Sequence, residues 1–388
     1  MVSKKVTADS IIVRAAALRE FVKGSVIPFE TDSRNSDHGP TEDLVAELRE
    51  LSRKAGFLTP QIACGGKWLS HKDIAALFRA AGYSPLGPVA LNCMAPDEGN
   101  MVLLEKIASP EQKARFLPEL LSGRTRSAFL MTEPDGGAGS DPSMILTTAR
   151  RRGNQWLING EKTFITGAEG AGLCIIVAKT ENGATLFLLD MASPGISIER
   201  IINTLDSSMP GGHAVVRLRD VEAGQDAVLG EVDRGFEYAQ VRLAPARLTH
   251  CMRWWGAAER AHDIATAYAC RRKAFGKALI EHEGIGFMLA DNLIDLKQSE
   301  LIIDWCASRL DEGERCLRES SMTKVAVSEA LYRIADRCVQ AMGALGLSKD
   351  TVVEQIFREI RAFRIYDGPS EVHRWSLAKS IRRRSGVA

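Results

Sequence analysis

The chain has 388 residues, and 50 Lys and Arg balance 49 Asp and Glu to leave a formal net charge of +1. Hydrophobic residues make up 45% and charged residues 26%, values that exclude a wholly disordered chain. The balanced charge argues against a general nucleic-acid binder, which needs a basic excess. At roughly 100–200 residues per domain, two or three domains are expected. No apolar run reaches the ~20 residues of a membrane helix, so no membrane insertion is expected. The first residues carry no signal-peptide core, and Asp9 and Glu20 argue against a mitochondrial presequence. The eight cysteines (Cys64, Cys93, Cys174, Cys251, Cys270, Cys306, Cys316, Cys338) are scattered, without CxxC or zinc spacing. We expect core thiols, a reducing cytoplasmic compartment and no metal.

Up to about Gly123 the pattern is helical, as in 42–55 with Leu44, Leu48 and Leu51 on one face. From about Phe129 the period shortens. Runs at 146–152, 155–159 and 162–165 are rich in Thr, Ile and Trp, and Gly153-Asn154, Asn159-Gly160 and Asn182-Gly183 predict hairpin turns. Strand-like runs continue to about Leu229. After Gly235 the pattern is helical again. Leu289, Leu293, Leu296, Ile303, Cys306 and Leu310 share one face, as do Val327, Leu331, Ile334, Cys338 and Met342, with Ser321 as a candidate N-cap. Long helices with short breaks predict an antiparallel bundle. Arg382-Arg383-Arg384 reads as a solvated tail.

Four segments could carry chemistry. Met131 to Asp141 holds three glycines with Thr132 and Ser140, which suits close backbone approach to an anion, or is an ordinary tight loop. In Lys162-Thr163-Phe164-Ile165-Thr166-Gly167, strand alternation puts Phe164 and Thr166 on one face, able to hold a flat heterocycle or simply part of a core strand. Arg271-Arg272-Lys273-Ala274-Phe275-Gly276-Lys277 suits pyrophosphate contact, or is a solvated basic helix end. In Ile365 to Arg374, Gly368-Pro369 predicts a helix break just after Asp367, with Ser370 able to cap the next helix; Asp367 would face a cavity or sit in a plain turn. Trp254-Trp255 is core packing or a substrate-pocket wall.

Together these segments resemble the acyl-CoA dehydrogenase family over roughly residues 85–388. The resemblance rests on Met131-Thr132-Glu133-Pro134 with Gly139-Ser140-Asp141, on 158–166, on Arg272-Lys273-Ala274-Phe275-Gly276-Lys277, on 340–346, and on Ile365-Tyr366-Asp367-Gly368. Leu91 to Asp97, His250-Cys251-Met252-Arg253 and Glu371-Val372-His373 look closest to the branch acting on 4-hydroxyacyl-CoAs. It implies an α+β, mostly α fold: an N-terminal helical domain (1–125), a middle β-barrel or sandwich domain (126–232) and a C-terminal four-helix bundle (233–388). It also implies FAD, an acyl-CoA substrate, an electron-transfer flavoprotein as redox partner, and a homotetramer built as a dimer of dimers.

By position, the resemblance assigns FAD contacts to Phe129, Met131, Thr132, Ser140, Phe164, Thr166, Arg272, Phe275, Gln340, Gly343, Ala344 and Glu371, with Thr166 at flavin N5 and Ser140 also near the CoA arm. Tyr366, Gly368, Trp254 and Trp255 would face the substrate. Asp367 stands where the family usually has a catalytic Glu, and Arg247 close to that base. The shorter side chain draws the base back by about 1.3 Å unless the backbone compensates, and about 1 Å can cost ~100-fold. Ala246 takes the alternative base position. Phe164 replaces a usual Trp, and Ala344 and Pro369 replace a usual Gly and Thr. The implied reaction is α,β-dehydrogenation of the thioester. A nitroalkane oxidase-like flavin oxidase and a non-catalytic flavin-binding member are the alternatives.

Overall fold

The computed structural model describes residues 2–63 and 65–384, so Cys64 lies outside the described residues. The chain forms two compact units. One comprises Met1–Thr31, Pro60–Pro88 and Arg247–Ala388; the other comprises Asp32–Thr59 and Val89–Ala246. The fold is α+β and mostly helical. Among the described residues no helix is long and apolar enough to cross a membrane.

The first unit is helical. It contains Val2–Phe21, His71–Ala81, Glu283–Asp311, Leu317–Met342, Val352–Phe363, Ser370–Arg384 and most of Gly235–Arg271. Ser70 starts one helix by accepting the Asp73 N–H at 3.1 Å. Val327, Leu331, Ile334, Cys338 and Met342 form the expected buried stripe of Leu317–Met342. Two helical expectations need correction. Ser321 is no N-cap: it lies in the second turn of that helix, which starts from Cys316. Leu293 does not join Leu289, Leu296, Ile303 and Cys306 in the core; it is 59% exposed, alongside Ile294 and Leu301. That helix carries a second apolar stripe, and period alone does not say which stripe is covered.

Helix Val352–Phe363 ends four residues before Asp367, earlier than Gly368-Pro369 predicts. The arginine run at 382–384 is the end of a helix rather than a tail, with the Arg383 and Arg384 side chains outside the described set. Of the seven described cysteines only Cys270 is exposed.

The second unit holds Glu42–Lys54, Asp97–Ile107 and Pro110–Leu121, the last opened by a Ser109–Gln112 capping box. Leu44 and Leu48 are buried as expected. Among the described residues eight strands make one mixed sheet: β1 (Arg126–Leu130), β2 (Thr148–Arg152), β3 (Gln155–Thr166), β4 (Ala171–Lys179), β5 (Ala184–Asp190), β6 (Ile196–Ile202), β7 (His213–Gly224) and β8 (Val228–Leu229). The order is β8-β5-β4-β2-β3-β7-β6, with β1 parallel to β4. Gly153-Asn154 joins β2 to β3 and Asn182-Gly183 lies in the β4–β5 connection, as predicted. Asn159-Gly160 is not a turn. It lies inside β3, where the pairing with β7 shifts register. Glycine is required there because a Cβ would come within 2.8 Å of the Thr147 Cα. Trp156 meets Phe187 edge-on at 5.6 Å in the core between β-strand faces.

Helix Gly235–Arg271 packs closely on the end of His71–Ala81. A Cβ at Gly256 would lie 2.1 Å from the Arg79 carbonyl oxygen, and one at Gly82 1.9 Å from that of Arg253. Gly256→Ala is therefore expected to cost about 1–3 kcal/mol by overpacking. Urea denaturation checks this; an unchanged midpoint would show that the helices separate freely.

Candidate functional site

In the second unit, the 131–141 loop is anchored by a buried ion pair. Lys162, fully buried in β3, donates to Glu133 at 2.9 Å, to the Met131 carbonyl at 3.1 Å and to the Val177 carbonyl at 2.8 Å. All three ammonium hydrogens thus have acceptors. Glu133 also accepts the N–H groups of Ala138, Leu146 and Thr147. Burial alone would raise the Glu133 carboxyl, but the Lys162 charge and these donors hold it at about 2. Burial pushes Lys162 down to about 8, against the pull of Glu133. Both are charged at neutral pH.

This anchor sets the chain beside β3. The Thr132 carbonyl accepts the Thr163 N–H at 2.9 Å. Phe164 is 57% exposed while Thr163 and Ile165 are buried, so Phe164 and Thr166 do share the outer face. Phe164 nevertheless has φ +53°, where the pairing with β7 is irregular. Thr166 Oγ1 meets His213 Nδ1 at 3.0 Å, and His213 Nε2 meets Asp206 at 2.9 Å. Phe129 lies under the Arg242 guanidinium at 4.3 Å, and Arg242 donates to Asn100 at 2.8 Å. Ser140 is exposed on the loop.

In the first unit, Asp367 lies between two helices with φ +52°, followed by Gly368 at φ +100°. Its carbonyl accepts from Arg247 Nε at 3.1 Å and from His373 Nε2 at 3.1 Å. A carbonyl only accepts, so His373 carries its hydrogen on Nε2; its Nδ1 lies 3.1 Å from the Ser321 hydroxyl. Burial, with the charges of Arg247 and Lys324, lowers the His373 ring to about 4 and keeps it neutral. Lys324, fully buried, donates to the Gly368 carbonyl at 2.7 Å. Burial lowers it to about 8, so it stays charged at neutral pH. The Asp367 carboxylate faces His250 Nε2 at 3.4 Å, and His250 packs on Tyr366 with ring centres 4.9 Å apart.

The structure therefore gathers Asp367, Tyr366, Gly368 and Arg247 in one cluster. Trp254 joins it by donating to the Tyr366 hydroxyl. Trp255 does not: it donates to the Leu296 carbonyl at 2.9 Å and stacks with Arg79, which is core packing. Other assigned residues lie at exposed positions. Arg272 follows the end of Gly235–Arg271, and Phe275, 96% exposed with φ +52°, tips a hairpin of Lys273–Ala274 and Lys277–Ala278 rather than a helix end. Gln340, Gly343 and Ala344 are exposed where Leu317–Met342 ends, and Glu371 is exposed in the first turn of Ser370–Arg384. Among the described residues no His, Cys, Asp and Glu group could hold a metal.

Sequence reasoning gave no role to Lys162, His213, Asp206, His250, Lys324 or His373. Lys324 had a signal: it sits three residues before Val327, on the apolar stripe. His213 had none, because its contact is across strands.

Three family models match: the N-terminal domain of acyl-CoA dehydrogenase at 12–124, the middle domain at 128–215 and the C-terminal domain at 233–382. A structure of a putative acyl-CoA dehydrogenase from Mycobacterium abscessus is 33% identical, with TM-score 0.87 and 98% of each chain covered. The chain belongs to the acyl-CoA dehydrogenase family. Acyl-CoA dehydrogenase family member 11 of Gallus gallus is 33% identical over 93% of this chain but 49% of its own length, so the chain spans about half of that curated relative. A glutaryl-CoA dehydrogenase structure holding glutaryl-CoA is 26% identical, with TM-score 0.86, covering 98% of this chain and 96% of that one.

Two predictions follow from the buried charges in this acyl-CoA dehydrogenase family member. Lys162→Met strands Glu133 and is expected to cost about 3–5 kcal/mol, whereas Lys162→Met with Glu133→Gln costs much less; guanidinium unfolding of both variants decides. His373 is neutral in the fold, whereas the unfolded chain takes up its proton below about 6.5. That contribution to stability is intact above pH 6.5 and is lost as pH falls toward about 4, by up to about 3 kcal/mol. Urea midpoints across this range should fall less steeply in His373→Gln; identical slopes would exclude His373 as the source.

Proposed function

We propose that the chain is an FAD-dependent acyl-CoA dehydrogenase that converts an acyl-CoA thioester to the trans-2-enoyl-CoA, with Asp367 as the base. The observation that carries this reading is the backbone at Asp367. Its carbonyl is held by Arg247 and His373 and the next one by Lys324, so a carboxylate is fixed at a helix break in a left-handed conformation. Such preorganisation is what a proton-abstracting group requires.

Residues of the second unit fit a flavin by their chemistry. Phe164 offers an exposed aromatic face, Thr166 a hydroxyl already oriented by His213, and the Lys162 anchor fixes Met131 and Thr132 beside them. Phe129, Met131, Thr132, Phe164 and Thr166 would hold the isoalloxazine, with Ser140 near the pyrophosphate and CoA arm. The cofactor is FAD, which accepts a hydride at N5 when bound.

Asp367 removes the α-proton. Its backbone N–H donates to the thioester oxygen, which favours the enolate. The half-buried Arg247 and the buried Lys324 compensate the carboxylate charge. Tyr366, Gly368 and Trp254 border the acyl chain, and the bulk of Trp254 restricts it. Exposed Arg272, Phe275, Gln340, Gly343, Ala344 and Glu371 are the proposed FAD contacts of a homotetramer, and an electron-transfer flavoprotein is the proposed acceptor of the electrons.

Anaerobic titration of the yellow protein with a panel of acyl-CoAs, 4-hydroxyacyl-CoAs included, tests the reading: bleaching with a long-wavelength charge-transfer band is expected. Asp367→Asn should retain FAD and lose at least about 100-fold in turnover; near-normal turnover would remove Asp367 from the mechanism. Trp254→Ala should broaden the chain-length profile, while Trp255→Ala should chiefly lower stability.

A further inference from the structure

Thr166 ends β3 and pairs across the sheet with His213, the first residue of β7. The two side chains meet at 3.0 Å between Oγ1 and Nδ1, and the other ring nitrogen lies 2.9 Å from Asp206 Oδ2. Asp206 is buried; burial alone would raise its carboxyl, but the bond and charge of His213 hold it below the usual range. Asp206 is thus a carboxylate, and Nε2 of His213 carries the hydrogen that points to it. Nδ1 then decides the second link. Without a hydrogen, Nδ1 accepts from Thr166, whose lone pairs are left facing outward. With one, Nδ1 donates to Thr166, whose own hydrogen can then point outward. A hydroxyl has a single hydrogen, so these arrangements exclude each other.

We propose that His213, oriented by Asp206, sets whether Thr166 donates or accepts a hydrogen bond at flavin N5, and so couples the oxidation state of FAD to a proton on His213. The inference rests on the reading of Thr166 as the N5 partner. Toward an N5 that lacks hydrogen, Thr166 must donate, which favours a hydrogen on Nδ1. Toward an N5 that bears hydrogen, Thr166 must accept. Its own hydrogen is then free to turn to Nδ1, which favours loss of the Nδ1 proton to solvent. One N–H bond breaks, one proton is released, and the neutral imidazole keeps its hydrogen on Nε2.

His213 is thus a positioning residue, acting through Thr166. Other charged or titratable groups surround this part of the sheet. Arg126 donates to the carbonyls of Gly167, Glu169 and Pro210 and pairs with Glu42, and His38 lies against Gly212. Their charges bias His213 equally in both oxidation states, whereas the Thr166 switch acts only on the difference.

The test is 15N NMR of the FAD-loaded protein labelled at histidine, oxidised and then dithionite-reduced, at a series of matched pH values. The signal missing from His213→Asn identifies the residue. At matched pH the ratio of Nδ1–H to bare Nδ1 should fall roughly tenfold on reduction, the worth of one hydrogen bond. The difference should vanish in Thr166→Val and persist in Thr166→Ser. Equal ratios in both states with FAD bound, or a difference that survives in Thr166→Val, would overturn the inference. A protein that stays colourless with added FAD would instead overturn the cofactor reading, and this inference with it.

Discussion

A charge taken out of water must find a partner for every hydrogen it carries or the fold loses several kcal/mol. This constraint shapes the two irregular segments on which the proposed chemistry depends. Among the described residues each unit buries one lysine completely, Lys162 in a strand and Lys324 in a helix. Each lysine gives one hydrogen bond to a backbone carbonyl of a loop, Met131 in one case and Gly368 in the other. Regular structure is rigid and loops are not. A buried ammonium that bonds from the first to the second transfers rigidity to the residues that carry function.

The two anchors differ in how charge is balanced. Lys162 has a carboxylate in contact, and Glu133 is saturated by backbone N–H groups, so the pair is locally complete. Around Asp367 the balance is spread over Arg247 and Lys324, with His373 kept neutral by burial and by these neighbouring cations. A closed pair suits a scaffold. A carboxylate in a distributed field suits a group that changes protonation during a reaction, because no single contact must break when it does.

Histidine has a different part in each unit. His373 has its Nε2 hydrogen fixed by a carbonyl, and its role is to hold the Asp367 backbone. His213 has a carboxylate on one side and a hydroxyl on the other, and a hydroxyl accommodates either state of Nδ1. The ring of His373 is held neutral by burial and by the charges of Arg247 and Lys324, whereas His213 stands between a carboxylate and a hydroxyl.

The sequence by itself determined the succession of helical, strand-rich and helical segments, the stripe from Val327 to Met342, the β4–β5 hairpin and the motifs that carry the family resemblance. All of these are local: they depend on period, turn chemistry or contiguous residues. Where local signals were ambiguous, tertiary contact decided. Asn159-Gly160 reads as a turn but lies inside a strand because Gly160 passes against Thr147. Leu293 reads as core, but its helix has two apolar stripes. Two adjacent tryptophans point to different neighbours, Trp254 to Tyr366 and Trp255 to Leu296. The partners of Asp367 and Gly368 come from three helices, and Thr166 and His213 lie 47 residues apart in adjacent strands. Only the tertiary structure decided these contacts, because hydrogen bonds between distant segments leave no periodic trace in a single chain.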